Sequence, residues 1–260
     1  GFGVTYNVAA NGGTTGTASA TFNAGTPLVL PAATRNGYTF AGWYSAASGG
    51  TLIGPAGGSY SPTASAIVYA TWTAITYAIT YNGNGNTSGA TPANGAYTSG
   101  GTNYSILGAN TLVKTGYDFA GWNTAADGSG TNYAAAATYA LSANLSLFAK
   151  WTATNYTVTY SLNSATTGTL PTQGTKTIGQ TFQLAAATGI TKTGFTFGGW
   201  SDGTNTYTAG TNYTVGTANV TLTALWIATY IITYDKNGAT AGTVPASLLS
   251  GTVDTARISG

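Results

Sequence analysis

The stretch Arg35-Asn36-Gly37-Tyr38-Thr39-Phe40-Ala41-Gly42-Trp43 decides how this chain is read, because it occurs three times. It returns as Lys114-Thr115-Gly116-Tyr117-Asp118-Phe119-Ala120-Gly121-Trp122, and again as Lys192-Thr193-Gly194-Phe195-Thr196-Phe197-Gly198-Gly199-Trp200. The steps between the three box tryptophans are 79 and 78 residues. A second marker opens each unit: Val4-Thr5-Tyr6, Ile79-Thr80-Tyr81, Val158-Thr159-Tyr160 and Ile232-Thr233-Tyr234. A third closes it: Tyr69-Ala70-Thr71-Trp72, Phe148-Ala149-Lys150-Trp151 and Thr223-Ala224-Leu225-Trp226. Composition bias would scatter Gly and Thr, but it would not place six tryptophans at two equivalent positions per unit. Self-similarity at a fixed period is the mark of a repeat array. The units run over residues 1–75, 76–154 and 155–228, and residues 229–260 begin a fourth.

The markers alternate with period two, as strands do. Tyr38 and Phe40 share one face, and Thr39 and Ala41 the other. The closers are β-branched or aromatic, and Thr suits a half-buried strand face. Thr makes up 52 of the 260 residues, with no helical periodicity around them. Asn-Gly pairs begin at Asn11, Asn36, Asn82, Asn84, Asn94 and Asn237, and suit tight turns that need positive φ. One or two helical turns are expected over 31–34 and 184–187, closing near the box glycine. The Ala-rich stretch 134–143 reads as loop or short helix. The fold class is therefore mainly β, a small α+β unit in tandem. A unit of this size is marginal alone, and contacts with neighbouring units should stabilise it.

Composition removes whole classes of chemistry. Cysteine, histidine and methionine are absent, and only 5% of residues are charged. Disulfides, thiolates and His-based metal sites or general bases are excluded. A net charge of +2 supplies no basic stripe for a nucleic-acid backbone. No apolar run is long enough to span a membrane as a helix. Aromatics, 12% of the chain, supply the apolar area that scarce Leu, Ile and Val do not. No leader is visible ahead of the abrupt start at Gly1, so the chain reads as a mature or excerpted piece.

With these residues in hand, the unit resembles the Listeria–Bacteroides repeat, the B-repeat type of internalin-like bacterial surface proteins. The resemblance covers all three units and the opening of the fourth. It implies a small β-grasp-like fold, tandem copies in secreted or wall-attached proteins, and a structural or adhesive role without catalytic residues. It marks as repeat-defining Tyr6, Gly37, Tyr38, Phe40, Gly42, Trp43 and Trp72 in the first unit. In the second they are Tyr81, Gly116, Tyr117, Phe119, Gly121, Trp122 and Trp151. In the third they are Tyr160, Gly194, Phe195, Phe197, Gly199, Trp200 and Trp226, and Tyr234 opens the fourth. This chain departs from the family in its near absence of charge, so no charge-dependent partner is carried over.

The residues that could carry chemistry read as structural. Asp118, Asp127, Asp202, Asp235 and Asp254 fall mostly at turns, and no carboxylate pair recurs between units. The loops after Asp127 and Asp202 hold one carboxylate each, too few for calcium. Lys150 beside plentiful Asn raises a Lys–Asn isopeptide bond, but no acid repeats near it. Arg35, Lys114 and Lys192 read as solvated cations near a helix C-terminus. Six Asn-x-Ser/Thr sequons, at Asn86, Asn103, Asn144, Asn155, Asn212 and Asn219, match chance for this composition. Leu170-Pro171-Thr172-Gln173-Gly174 only loosely matches a wall-sorting signal. The box tryptophans read as core, while Tyr97, Tyr104, Tyr133, Tyr139 and Tyr213 are the candidates for exposed, sugar-stacking contacts.

The expected function is a non-catalytic, extracellular structural repeat protein of the bacterial cell surface, forming a fibre, sheath or stalk. No enzyme activity, cofactor or metal is expected. A surface of Thr, Ser, Asn and Gly tolerates packing against copies of itself, so the expected partner is a homopolymer. Ile231, Ile232, Thr233 and Tyr234 are the candidate self-assembly contact, pairing with a neighbour's sheet edge. The alternative is an adhesin that binds cell-wall or surface glycans through exposed tyrosines.

Overall fold

The computed structural model describes residues 1–238, 240–243 and 248–250. Packing divides the chain into two compact units, one of residues 1–114 with 119–151 and one of 115–118 with 152–260.

Each of the three repeats builds the same five-stranded mixed sheet. In the first it comprises an opening strand Phe2–Asn7, an edge strand Ser19–Phe22, a box strand Tyr38–Tyr44, a second edge Leu52–Gly54 and a closing strand Ala66–Ala74. In space the order is edge, opener, closer, box, second edge. The second repeat repeats this order with Gly95–Thr98, Thr76–Asn82, Leu145–Ala153, Tyr117–Asn123 and Asn132–Tyr133. The third uses Gly174–Thr177, Asn155–Ser161, Val220–Ala228, Phe195–Ser201 and Thr206–Tyr207. Opener and closer, the first and last strands of each repeat, lie side by side and parallel.

A two-stranded ribbon joins each core. Leu28–Val29 pairs with Ser59–Tyr60, Tyr104–Ser105 with Thr138–Tyr139, and Thr181–Gln183 with Asn212–Thr214. Leu28, Tyr60, Tyr104, Tyr139, Phe182 and Tyr213 all belong to or pack against the core of their own repeat.

The box glycine explains how both aromatics of Phe-x-Gly-Trp reach one core. Strict alternation would send Phe40 and Trp43 to opposite faces, because they are three residues apart. The register against the closing strand shifts between Phe40 and Gly42, and between Phe197 and Gly199. This extra residue is a β-bulge, which returns Trp43 and Trp200 to the inner face, fully buried. Gly42 and Gly199 adopt φ of 131° and 122° there. A Cβ on Gly199 would lie 2.5 Å from the Tyr207 carbonyl oxygen.

Two expectations are corrected. No helical turn forms over 31–34 or 184–187. Ala33–Thr34 is a strand paired with Thr14–Thr15, and the Leu184 N–H donates to the Thr211 carbonyl. Backbone groups committed to such partners are lost to a helix. The stretch 134–143 carries a turn and the ribbon strand Thr138–Tyr139. Among the described residues the helical element is a single 3-10 turn, Ala9–Asn11.

Candidate functional site

The repeat-defining residues form one ring cluster per repeat. Tyr6, Tyr81 and Tyr160 meet Trp43, Trp122 and Trp200 at centroid distances of 5.1, 4.7 and 4.6 Å. Phe40, Phe119 and Phe197 stand edge-on to the same tryptophans and, on their other side, to Trp72, Trp151 and Trp226. Edge-to-face pairs at these distances add roughly 0.5–1.5 kcal/mol beyond area burial. The three box tryptophans are wholly buried, so none is a surface platform.

A single residue, two positions past the first ribbon strand, is clasped by this cluster. The Trp122 indole N–H donates to the Leu107 carbonyl at 2.8 Å, and the Leu107 N–H donates to the Tyr81 hydroxyl at 2.9 Å. Ala185 makes the same two bonds, to Trp200 and Tyr160. In the first repeat the residue is Pro31, which accepts from Trp43 but has no N–H to offer Tyr6. Burial, with the Tyr104 hydroxyl beside it, pushes the Tyr81 phenol well above the usual tyrosine range. Burial raises Tyr6 as well.

The closing tryptophans differ in one respect. Trp151 donates to the Gly83 carbonyl and Trp226 to the Leu162 carbonyl, both at 3.0 Å. The buried indole nitrogen of Trp72 has no partner. The first repeat holds two extra residues between Tyr6 and Asn11, and the 3-10 turn Ala9–Asn11 takes them up. The Val8 carbonyl, two residues past the opener tyrosine like those of Gly83 and Leu162, accepts from the Asn11 N–H and receives no indole.

The first box glycines close each repeat. Gly37, Gly116 and Gly194 sit at φ of 79–80°, and their carbonyls accept from the N–H groups of Ile75, Thr154 and Thr229 at 2.9 Å. Tyr38 donates to the Ser99 carbonyl, Tyr117 is half-buried, and Phe195 is exposed. Gly121, the bulge-position glycine of the second repeat, has φ 106°.

Arg35 and Lys192 are corrected from solvated helix-end cations to loop ties. Arg35 donates to the Asn11 carbonyl at 2.6 Å and lies 3.7 Å above the Tyr38 ring. Lys192 reaches the Asn163 carbonyl at 3.4 Å and covers Phe195. Lys114 is half-buried.

The tyrosines expected at the surface are also corrected. Tyr97 and Tyr213 are buried, and Tyr104, Tyr133 and Tyr139 are half-buried. Every tyrosine within residues 1–228 is buried or half-buried. The ribbon turns Tyr104, Tyr139 and Tyr213 toward the core, and the sheet's edge strands hold Tyr97 and Tyr133 against it; this non-local packing is invisible to a count of repeat regularity. An open groove of about 350 Å³ beside Leu170 and Pro171 presents only the buried Tyr160 as an aromatic.

Asp127, Asp202 and Asp235 lie in turns or loops, whereas Asp118 sits on the box strand Tyr117–Asn123. Asp118 accepts from Thr154. Asp127 is held below the usual carboxylate range by the hydroxyl and N–H of Ser129. Burial opposes ionisation of Asp202, but the N–H groups of Asn205 and Thr204 and the Tyr207 hydroxyl outweigh it and lower the carboxyl. Asp235 accepts from the Asn237 N–H, and Asp254 lies outside the described residues. No cluster of three metal-ligating side chains occurs among the described residues. Lys150 does meet Asn132 at 3.1 Å, but that amide oxygen also accepts from Asn123.

One set of polar residues was missed by sequence reading. Asn11, Asn84 and Asn163 donate through Nδ2 to the carbonyls of Ala70, Ala149 and Ala224 in the closing strands. Ser65, Asn144 and Asn219 accept from the opener N–H groups of Gly3, Ala78 and Thr157. An Asn three residues beyond the opener tyrosine in the second and third repeats was the available signal, obscured by the insertion in the first.

The candidate self-assembly segment lies at the surface. Tyr230, Ile231, Ile232 and Tyr234 are exposed by 54, 66, 44 and 39%, and Thr233 is exposed too. The strand Tyr230–Ile232 is already paired, antiparallel, with Leu248–Ser250 of the same chain. In the whole repeats the opener's other side carries the parallel closer. Among the described residues that side of Tyr230–Ile232 has no strand.

Comparison with known proteins agrees with this periodicity. The Listeria-Bacteroides repeat domain matches residues 2–71, 77–150 and 156–225. A Gly-rich membrane protein, so named, of Evansella cellulosilytica is 34% identical over 137 residues, 49% of this chain and 16% of that protein. A second protein of that organism, named as a membrane protein, is 36% identical over 89 residues, 34% of this chain and 13% of its own length. The matched part of the chain thus spans about a sixth or less of either relative. No helix among the described residues is long and apolar enough to cross a membrane.

Proposed function

We propose that this chain, which belongs to the Listeria-Bacteroides repeat family, is a non-catalytic structural segment of an extracellular bacterial surface protein. The observation that carries the reading is where the polar residues go. Outside Trp72 and Tyr6 of the first repeat, the recurring indole, hydroxyl and amide groups are spent on backbone partners inside their own repeat, and no acid–base pair recurs. The sheet order, with parallel first and last strands at the centre, supports a β-grasp-like unit that lacks the helix. Two relatives named as membrane proteins support a place at the cell envelope.

The finer reading is self-association. The strand Tyr230–Ile232, uncharged and exposed, is where a strand of a second copy would add. Sedimentation and electron microscopy of residues 1–260 test this, beside a chain lacking 230–260. Concentration-dependent filaments that vanish with the deletion are expected. A monodisperse particle of one chain's mass would overturn self-association and leave a stalk segment. Labelling of intact cells with an antibody to these repeats tests the surface assignment, which fails if signal needs permeabilised cells.

A further inference from the structure

We propose that each repeat is a shear clamp, so that the array is a force-bearing tether. The inference rests on the reading of the chain as a structural segment and adds the load it is built to carry. The argument starts from topology. The chain enters each repeat on the opener and leaves on the closer, and these strands are parallel neighbours. Tension applied to the two ends therefore drags the strands past one another along their length. All the bonds between them are loaded together. Peeling an antiparallel pair from its end would load them one at a time.

The register is short, four residue pairs in each repeat, from Val4↔Ala66 to Asn7↔Tyr69 in the first. Side chains lengthen it at both ends. One step before the first pair, the opener N–H of Gly3, Ala78 or Thr157 is held by Ser65, Asn144 or Asn219. One step after the last pair, the closer carbonyl of Ala70, Ala149 or Ala224 is held by Asn11, Asn84 or Asn163. Both brackets occur in all three repeats. The ladder is shielded on its inner face, where Val4, Val68, Ile79, Leu147 and Leu222 are fully buried. Water cannot readily take over a bond that starts to open there.

Slack between repeats is minimal. One residue, Ile75, Thr154 or Thr229, separates each closer from the next opener. The Ile75 N–H is held by the Gly37 carbonyl and its C=O by the Ser99 N–H. Load leaving Ala66–Ala74 thus passes almost directly into Thr76–Asn82.

Single-molecule pulling on the full chain through terminal handles tests the clamp. Three unfolding steps of similar length are expected, each releasing about 250 Å of contour less the folded separation, at ~3.3–3.6 Å per residue. The chain has no cysteine, so Thr39→Cys with Thr73→Cys defines a second axis in the first repeat. These residues face each other across the antiparallel box–closer pair, and pulling there peels it. The terminal axis should yield at several-fold higher force. Equal forces along both axes, or no discrete steps under end-to-end load, would overturn the proposal. Asn84→Ala with Asn144→Ala should lower the force of one step and leave two unchanged. Three unchanged steps would remove the brackets from the clamp. Two steps in place of three would show that this variant fails to fold, and the two-axis comparison then decides. The measurement does not depend on cellular location or on filaments, so it can fail while the surface reading stands, and the reverse.

Discussion

Single residues in equivalent positions carry different hydrogen-bond loads, and this makes them comparable. Removing one partner of a buried bond costs about 1–3 kcal/mol where it strands the other. Tyr81→Phe strands the Leu107 N–H, whereas Tyr6→Phe strands nothing at Pro31. Urea unfolding of the full chain should show Tyr81→Phe the more damaging by about 1–2 kcal/mol. The same contrast holds for the closing tryptophans. Trp151→Phe frees the Gly83 carbonyl, while Trp72 has no bond to lose. Both substitutions lose ring area, but Trp151→Phe should cost about 1 kcal/mol more, and equal losses would contradict the assignment. None of this was legible in the tryptophan pattern, which repeats identically. The difference comes from two inserted residues and one proline, and its effect depends on which carbonyl the fold brings to the indole.

Among elements, the box strand depends on its bulge. Gly199 combines a positive φ with close approach to the Tyr207 carbonyl, and a side chain there strains the backbone and displaces the edge strand. Gly199→Ala should destabilise the third repeat by about 1–3 kcal/mol. Gly216→Ala, where the added Cβ meets open space, should change stability by less than about 0.5 kcal/mol. Thermal unfolding of the two variants side by side makes the comparison. Strands were readable because alternation is local. The ribbon was not, since its short strands pair across 29 to 35 residues. That pairing is what hides Tyr104, Tyr139 and Tyr213, whose irregular places in the repeat had suggested the surface.

For the whole molecule, the scarcity of ionisable groups sets the response to pH. Nothing in the chain titrates at an unperturbed value between about 5 and 7.5, since histidine is absent. Asp127 and Asp202 have lowered values, so the stability they lend is present above about pH 4 and lost as pH falls further. Tyr6, Tyr81 and Tyr213 have raised values. Their contribution is complete below about pH 10, the unfolded value, and is lost as pH rises toward the folded one. Melting temperature should therefore stay nearly flat from about pH 5 to 9 and fall on the alkaline side. A maximum with steep flanks near neutrality would contradict this account.

Local regularities in the amino-acid order were enough to set the period, the three repeats, the β class, the burial of the box tryptophans and the absence of thiol or imidazole chemistry. Each follows from residue type or short-range spacing, which act before any long-range contact forms. The parallel pairing of first and last strands, the bulge that returns both aromatics to one core, the asparagine brackets and the inward turn of the tyrosines depended on the assembled fold. They are contacts between residues about 60 positions apart, or choices between two faces of a strand, and only the packed core settles which face is dry.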